Sequence, residues 1–342
     1  MSTESTQWVT SEESSGFGRV TDVDEYMHSG GPSGDSLSET WYWGFNIPEA
    51  RVNCYAYCWV HPNLGVVTAG LFIYQGIKGQ HLAAELFDMP AFLSAEILGD
   101  GADIQVPNGL RIRVIDPLRH IHMTFSDPVR ETEVDVHLTA VDAPIVRANG
   151  KHFEQVMRTQ GQLVLRGERY DVDSFHVRDR SWGELRPEVH NPAPPYNWVT
   201  GVFNDGAWAF NVGSLDDPTQ KPHWLEHYPV PADKAFKDGW IRRDGRTIRL
   251  LHASKRVERE PGSLRPTQIA IELHDAEGGV CDVTGQIVAG LPWGGWHNMN
   301  CHLALVRWER DGQVGWGDSM DVQWNDYVWR FGQVDKGLGT RS

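Results

Sequence analysis

Apolar and polar residues alternate along most of the chain in short runs closed by turn residues, the period expected of half-buried β-strands. ARVNCYAYCWVHP (Ala50–Pro62), VVTAGLFIYQG (Val66–Gly76), GLRIRVIDP (Gly109–Pro117) and VDVHLTA (Val134–Ala140) form a first series. QLVLRGERYDVD (Gln162–Asp173), GAWAFNVG (Gly206–Gly213), TIRLLHASKRVERE (Thr247–Glu260) and TQIAIELHDAEG (Thr267–Gly278) continue it. The segment Leu303–Trp324 carries Asp311-Gly312 between strand-like residues, the signature of a tight hairpin. Helical spacing is scarce: HLAAELFDMPAFLSAEIL (His81–Leu98) is the one candidate, and Pro90 interrupts it.

Antiparallel strands in this number must hide their edges, and closure into a barrel does so completely. The pattern therefore predicts an all-β protein of two packed antiparallel β-barrel domains. A change of strand series near residues 150–162 places the division at 37–160 and 161–335. The opening MSTESTQWVTSEESSG is polar, acidic and without an apolar core segment, so it is not read as a signal peptide. Residues 1–36 are expected to form a flexible arm.

Composition narrows the function classes. A net charge of −15 would repel nucleic-acid phosphates, and no basic run interleaved with aromatics is present. No apolar run approaches membrane-spanning length, so insertion into a bilayer is not expected. The chain holds 15 tryptophans, which fit either large rings plugging a β core or an aromatic lining for a flat, oily ligand. Cys54 and Cys58, four apart on a strand, would lie about 13 Å from each other, too far for a disulfide. With Cys281 and Cys301 they are expected to be free thiols of a cytoplasmic protein. No GxSxG elbow, HExxH pair or phosphate-binding glycine loop occurs, and no cofactor is expected.

The polar centre of interest is HVRDRSWG (His176–Gly183). On a strand, His176, Arg178, Arg180 and Trp182 share one face, and Phe175, Val177, Asp179 and Ser181 the other. The second face starts apolar, so Asp179 is expected to point inward, where burial and neighbouring guanidinium groups set its charge state. The competing reading is a structural ion-pair cluster with Trp182 packed over an arginine. KHFEQVMR (Lys151–Arg158) supplies Glu154, either facing a shared cavity or capping an interdomain hydrogen-bond network. LPWGGWHNMNCH (Leu291–His302) offers Trp296 and His297 as a loop over a ligand or as a packed structural loop, and WYWGFNIPE adds Trp43 as a comparable aromatic edge. Tyr196 and Trp198 are further candidates for contact with a ligand. In RHIHMTF, His120 and His122 share a strand face and His137 lies on a following run, but no acidic ligand follows at the spacing of a cupin-like site. These histidines are assigned to a polar outer face, and no metal site is expected.

TWYWGFNIPE, KHFEQ and GERYDVDSFHVRDRSWG together resemble the bacterial hydroxyneurosporene synthase-like group over residues 37–335. That group includes the carotenoid 1,2-hydratases and the AttH-like proteins, and the likeness is strongest to a branch with an RDRSWG-type motif. The resemblance implies two lipocalin-like (calycin-like) barrels around an apolar cavity and a cofactor-independent enzyme that hydrates, cyclises or isomerises oily substrates. It carries His176, Arg178, Asp179, Arg180 and Trp182 onto this chain as site residues.

Two functions follow. The first is a lyase or isomerase acting on a terpenoid, steroid-like or aromatic molecule. Asp179 would move the proton, His176 or His297 would be its counterpart, and Arg178 and Arg180 would tune it. Glu154 is the further catalytic candidate, and Trp43, Arg180, Trp182, Tyr196, Trp198 and Trp296 are the candidate substrate contacts. The second function is a lipocalin-like carrier with the same cup and no convergent acid and base. Neither requires a macromolecular partner, and a homodimer is left open.

Overall fold

Alternation becomes antiparallel sheet throughout the chain. A computed structural model describes residues 17–28, 30–147, 149–186, 193–296 and 298–332. The first unit contains β1 (Leu37–Ile47), β2 (Val52–His61), β3 (Val66–Gln75), β4 (Leu86–Asp88), β5 (Leu93–Ser94) and β6 (Asp103–Gln105). It continues with β7 (Arg111–Asp116), β8 (His120–Asp127), β9 (Thr132–Ala140), β10 (Ile145–Val146), β11 (His152–Leu165) and β12 (Glu168–Leu185). These make one curled sheet, a half-barrel, in the order β4-β3-β2-β1-β12-β11-β9-β8-β7-β6, with β5 paired to β3 and β10 to β11.

The second unit comprises β13 (Tyr196–Phe203), β14 (Trp208–Leu215), β15 (Phe236–Arg243) and β16 (Arg246–Arg259), then β17 (Pro266–Asp275), β18 (Val280–Trp293), β19 (Met299–Arg310) and β20 (Gln313–Trp324). It is a closed eight-stranded barrel in sequence order, sealed by pairing of β20 with β13. Asp311 and Gly312 join β19 to β20 with φ of 48° and 75°, the left-handed pair that a two-residue hairpin needs. The all-β, lipocalin-like expectation is met, with one unit closed and the other open.

The two units stack so that the chain has three apolar layers. Trp43, Cys54, Leu71, Met123 and Val136 fill the concavity of the half-barrel. Val199, Phe210, Ile271 and Trp308 fill the closed barrel. Between them, Tyr42, Tyr55, Tyr57, Phe72 and Tyr74 on the outer face of β1–β3 pack against Trp198, Trp293, Leu303 and Leu305 of the barrel wall. This explains why all eleven residues of β1 and nine of the ten in β2 are buried. A strand covered on both faces loses its polar side and keeps only a change of side-chain type from one face to the other.

Three boundaries differ from expectation. The division at 160 falls inside β11, and RDRSWG lies on β12 in the first unit; Gln162–Asp173 is not one strand but the hairpin joining β11 to β12. The long β11–β12 pair completes the half-barrel, and the second unit starts at Tyr196. His81–Leu98 is not an α-helix: the edge of β3 captures Leu86–Asp88 and Leu93–Ser94 as strands on either side of Pro90, with short 3-10 turns at each end. Finally, residues 17–28 are not a loose arm. Val20 and Glu25 are each 1% exposed, and Arg178 grips the Glu25 carboxylate with both terminal nitrogens, at 2.6 and 2.7 Å. Among the described residues no helix is long and apolar enough to cross a membrane.

Breaking a buried ion pair from one side leaves an uncompensated charge, which costs about 3–5 kcal/mol. Arg178→Met is therefore expected to lower the unfolding free energy measured in denaturant by that amount, and so to lower the midpoint, and adding Glu25→Leu to recover most of the loss. A single variant with the wild-type midpoint would show that the tether contributes nothing.

Candidate active site

The site begins with the period of β12. His176, Arg178 and Arg180 point into the half-barrel, while Asp179 and Ser181 point the other way, into the seam between the two units. On the inner side Arg178 is held by Glu25 and by Gln155 Oε1, and its guanidinium lies over Phe153 at 5.2 Å. Arg180 binds Glu39 at 2.5 Å and lies 3.8 Å over Trp41. Trp182 stacks on His28 at 4.6 Å beside Val20 and Phe153. His176 is fully buried, with Nε2 accepting from the Gly44 amide at 3.3 Å and Nδ1 paired to the Thr159 hydroxyl at 3.2 Å. Burial, with Arg178 nearby, depresses its pKa to about 3, so it is a neutral framework residue.

The seam holds a cavity of about 240 Å³. Its walls are aromatic: Tyr55 and Tyr57 from β2, Tyr196 and Trp198 from β13, Trp324 at the end of β20, and Trp296. Met299, Met320 and Val322 complete the apolar lining. Trp296 stacks on Trp59 at 5.0 Å and carries Arg186 over its face at 5.2 Å. The indole N–H groups of Trp296 and Trp324 are buried without a hydrogen-bond partner among the described residues, so both are donors for whatever fills the space.

Asp179 and His152 are among the polar groups of the cavity wall, with Arg147, Ser181, Glu184 and Arg186. Asp179 stands opposite Glu154 on β11 and Tyr42 on β1, and His152 stands opposite Ser181. The three acidic side chains of this region differ in their partners. Glu154 receives Arg147 and His152 at 2.9 Å each and the indole N–H groups of Trp198 and Trp240 at 3.3 and 3.2 Å. Against the cost of burial, Arg147 and His152 hold its carboxyl well below the usual range. Asp179 has no hydrogen-bond or ion-pair partner among the described residues; burial raises its pKa, opposed by His152 and reinforced by the charge of Glu154. Asp318 on β20 accepts from Tyr42 Oη at 2.9 Å and Asn53 Nδ2 at 3.0 Å, and burial pushes it up to about 6. Asp318 and Asp179 share a small recess that also has Tyr55, Trp198 and Met320 in its wall, residues that line the main cavity too.

Of the residues expected from the sequence, Asp179, Tyr196, Trp198 and Trp296 line one cavity. Glu154 forms part of its frame, and its four donors commit it to clamping the barrel onto the half-barrel. His176, Arg178, Arg180, Trp182 and Trp43, expected at one site with Asp179, do not line its cavity: they lie on the opposite, half-barrel side of the sheet. His297 lies outside the described residues. Arg147, Tyr55, Tyr57 and Asp318 were missed, while His152 belongs to the KHFEQVMR cluster, where Glu154 alone was singled out as catalytic. Asp318 left a signal, because Trp316, Asp318, Met320, Val322 and Trp324 share a strand face and only Asp318 is charged there. Among the described residues His122, Asp135 and His137 form the one cluster suited to a metal ion, on β8 and β9, strands that do not line this cavity.

A family model described as a domain of unknown function (DUF7064) matches residues 21–328. No curated protein matches the chain. Kievitone hydratase from Nectria haematococca is similar in structure at 12% identity and TM-score 0.57, over 94% of this chain and 96% of that one. A protein assigned as AttH from Nitrosomonas europaea is similar at 14% identity and TM-score 0.51, over 87% and 94% of the two chains. CghA with Sch210972 is similar at 10% identity and TM-score 0.53, over 88% and 95%. At these identities the likeness shows a shared two-unit β fold, in line with the resemblance to AttH-like proteins.

Asp318 yields a sign-definite pH effect. Between about 3.8, its ordinary value, and about 6, the unfolded chain releases this proton while the folded chain keeps it. Rising pH therefore favours unfolding across that window, by on the order of 3 kcal/mol in total. Asp318→Asn removes the effect, so the variant is expected to gain stability over wild type as pH rises from 4 to 7, measured by denaturant unfolding. Parallel pH profiles for the two proteins would show that Asp318 ionises normally.

Proposed function

We propose that this chain, which belongs to the DUF7064 family, is a cofactor-independent lyase or isomerase of the hydratase, dehydratase or cyclase type. Its substrate would be a hydrophobic molecule of terpenoid, steroid-like or aromatic character held in the cavity between the two β units. The observation that carries the reading is Asp179: a carboxyl with no hydrogen-bond or ion-pair partner among the described residues, its pKa raised, on the wall of an aromatic cavity. A carboxyl whose surroundings favour its protonated form is a better proton donor to a weakly basic carbon than an ordinary aspartate.

In the hydration direction, the Asp179 O–H delivers its proton to one carbon of a substrate double bond. The π pair becomes the new C–H bond, and a cation develops on the other carbon. The faces of Tyr55, Tyr57 and Trp198 stabilise that charge through their quadrupoles. Water then attacks the cationic carbon, and its surplus proton returns to the Asp179 carboxylate. His152, oriented by its bond to Glu154, stands in the same cavity as an alternative acceptor. Loss of water runs these steps backwards, and attack by a second double bond of the substrate in place of water closes a ring, whose new cationic centre then loses a neighbouring proton to the Asp179 carboxylate to form a double bond. Asp318, which keeps its proton to about pH 6, is a second candidate proton donor, reached through the shared recess.

Kievitone hydratase, by its name, adds water to kievitone, and its similar fold supports a hydration reading here. The structure of CghA with Sch210972 supports a ligand-binding role for this architecture. The motifs resembling hydroxyneurosporene synthase-like proteins support the same class of chemistry. A carrier needs the same cup but has no use for a carboxyl whose surroundings favour its protonated form.

The test is incubation with kievitone and a panel of isoprenoid and aromatic alkenes in heavy-oxygen water, with products read by mass spectrometry. Product carrying the heavy oxygen is expected, and Asp179→Asn is expected to lower kcat by roughly 10²–10⁴-fold while ligand binding persists. Wild-type turnover by a folded Asp179→Asn variant would remove Asp179 from the chemistry. Tight binding across the panel without any product would favour the carrier.

A further inference from the structure

The outer surface of β8 and β9 carries a group of side chains that the cavity chemistry does not use. His120 and His122 alternate with the buried Ile121 and Met123, and Asp135 and His137 alternate with the buried Val134, Val136 and Leu138. His122 and His137 are direct cross-strand partners. Their rings are parallel within 2° and 4.3 Å apart, so their nitrogens project together from the sheet. The acidic ligand absent after His122 in sequence is supplied across the strand by Asp135, whose Oδ1 is 2.7 Å from His122 Nε2. One ligand atom each from His122, Asp135 and His137 lies within 4.8 Å of the others.

The geometry points to a binding site for a divalent ion of zinc or nickel type, formed by His122, Asp135 and His137 and remote from the cavity. Two imidazoles and a carboxylate are the donor set such borderline ions take, with the remaining positions left to water. Metal–ligand bonds of about 2.0–2.2 Å place neighbouring ligand atoms some 3–3.5 Å apart, so the widest spacing among these half-buried and exposed side chains must close by about 1–2 Å. His120 Nε2 lies 2.8 Å from His137 Nδ1. With the proton on His137 Nδ1, this bond fixes the ring and leaves His137 Nε2 free to coordinate, the usual outer support of a metal-bound histidine. Arg113 opposes the site in the metal-free form. It donates to His122 Nδ1 at 2.6 Å and so keeps the proton on Nε2, facing Asp135. Binding requires Arg113, a partly exposed side chain, to swing aside so that His122 takes its proton on Nδ1 and offers Nε2 to the ion.

Isothermal titration of zinc chloride into the full-length, metal-free protein tests this, with His122→Gln and His137→Gln as variants and circular dichroism as the check on folding. One zinc per chain with a micromolar Kd is expected, weakened at least tenfold in each variant. Absence of saturable binding to the wild type, or variants that bind one zinc as tightly as wild type, would overturn the proposal. Because both side chains lie on an exposed face, the variants are expected to keep the wild-type spectrum.

Discussion

A sheet covered on both faces has nowhere to leave a polar side chain in water, and the centre of this molecule is such a sheet. β1, β2 and the middle of β11 and β12 separate the core of the half-barrel from the layer shared with the closed barrel. Every charge placed there must find a partner or lose its charge. On the inner side, Arg178 and Arg180 find theirs in Glu25 and Glu39, which draws residues 17–28 into the fold. On the outer side, Glu154 collects four donors and uses two of them, the indoles of Trp198 and Trp240, to fix the barrel against the sheet. Asp179 is the carboxyl left over.

The chemistry follows from that inequality. Glu154, Asp179 and Asp318 are close in the structure and alike in type, yet their surroundings push them apart in acidity. Donors hold Glu154 ionised, burial and the neighbouring Glu154 charge favour the neutral form of Asp179, and burial outweighs two hydrogen bonds at Asp318. Carboxyl groups separated in this way take different tasks, one as electrostatic frame and others as acids. The tryptophans and tyrosines then serve twice, as packing between the units and as walls around the acid.

The fold class was legible because period-two alternation and turn dipeptides survive in edge and half-exposed strands such as β8, β9, β16 and β17. The same alternation correctly split Asp179 from His176, Arg178 and Arg180. What it could not show is that both sides of β12 are interior, so the inner arginines read as neighbours of Asp179 when they serve the tether of Glu25. The division between units was hidden for a related reason: β11 and β12 are long strands, and β12 pairs with β1, far back in the chain. Asp318 and Tyr55 sit in the seam by long-range packing between units, which no local pattern encodes, although a lone aspartate in the apolar face of β20 was a readable cue. The metal-type cluster was half visible, with His120, His122 and His137 in view and Asp135 supplied only by strand register.

The account rests on Asp179 facing the cavity and holding its proton to a higher pH than an ordinary aspartate. Infrared difference spectroscopy across a pH titration, comparing the wild type with Asp179→Asn and with aspartate isotopically labelled, reads that protonation state directly. A protonated carboxyl band that persists above the pH at which an ordinary aspartate ionises, shifts with the label and vanishes in the variant is the predicted result. A wild-type spectrum with Asp179 fully ionised from pH 5 upward would contradict the central claim.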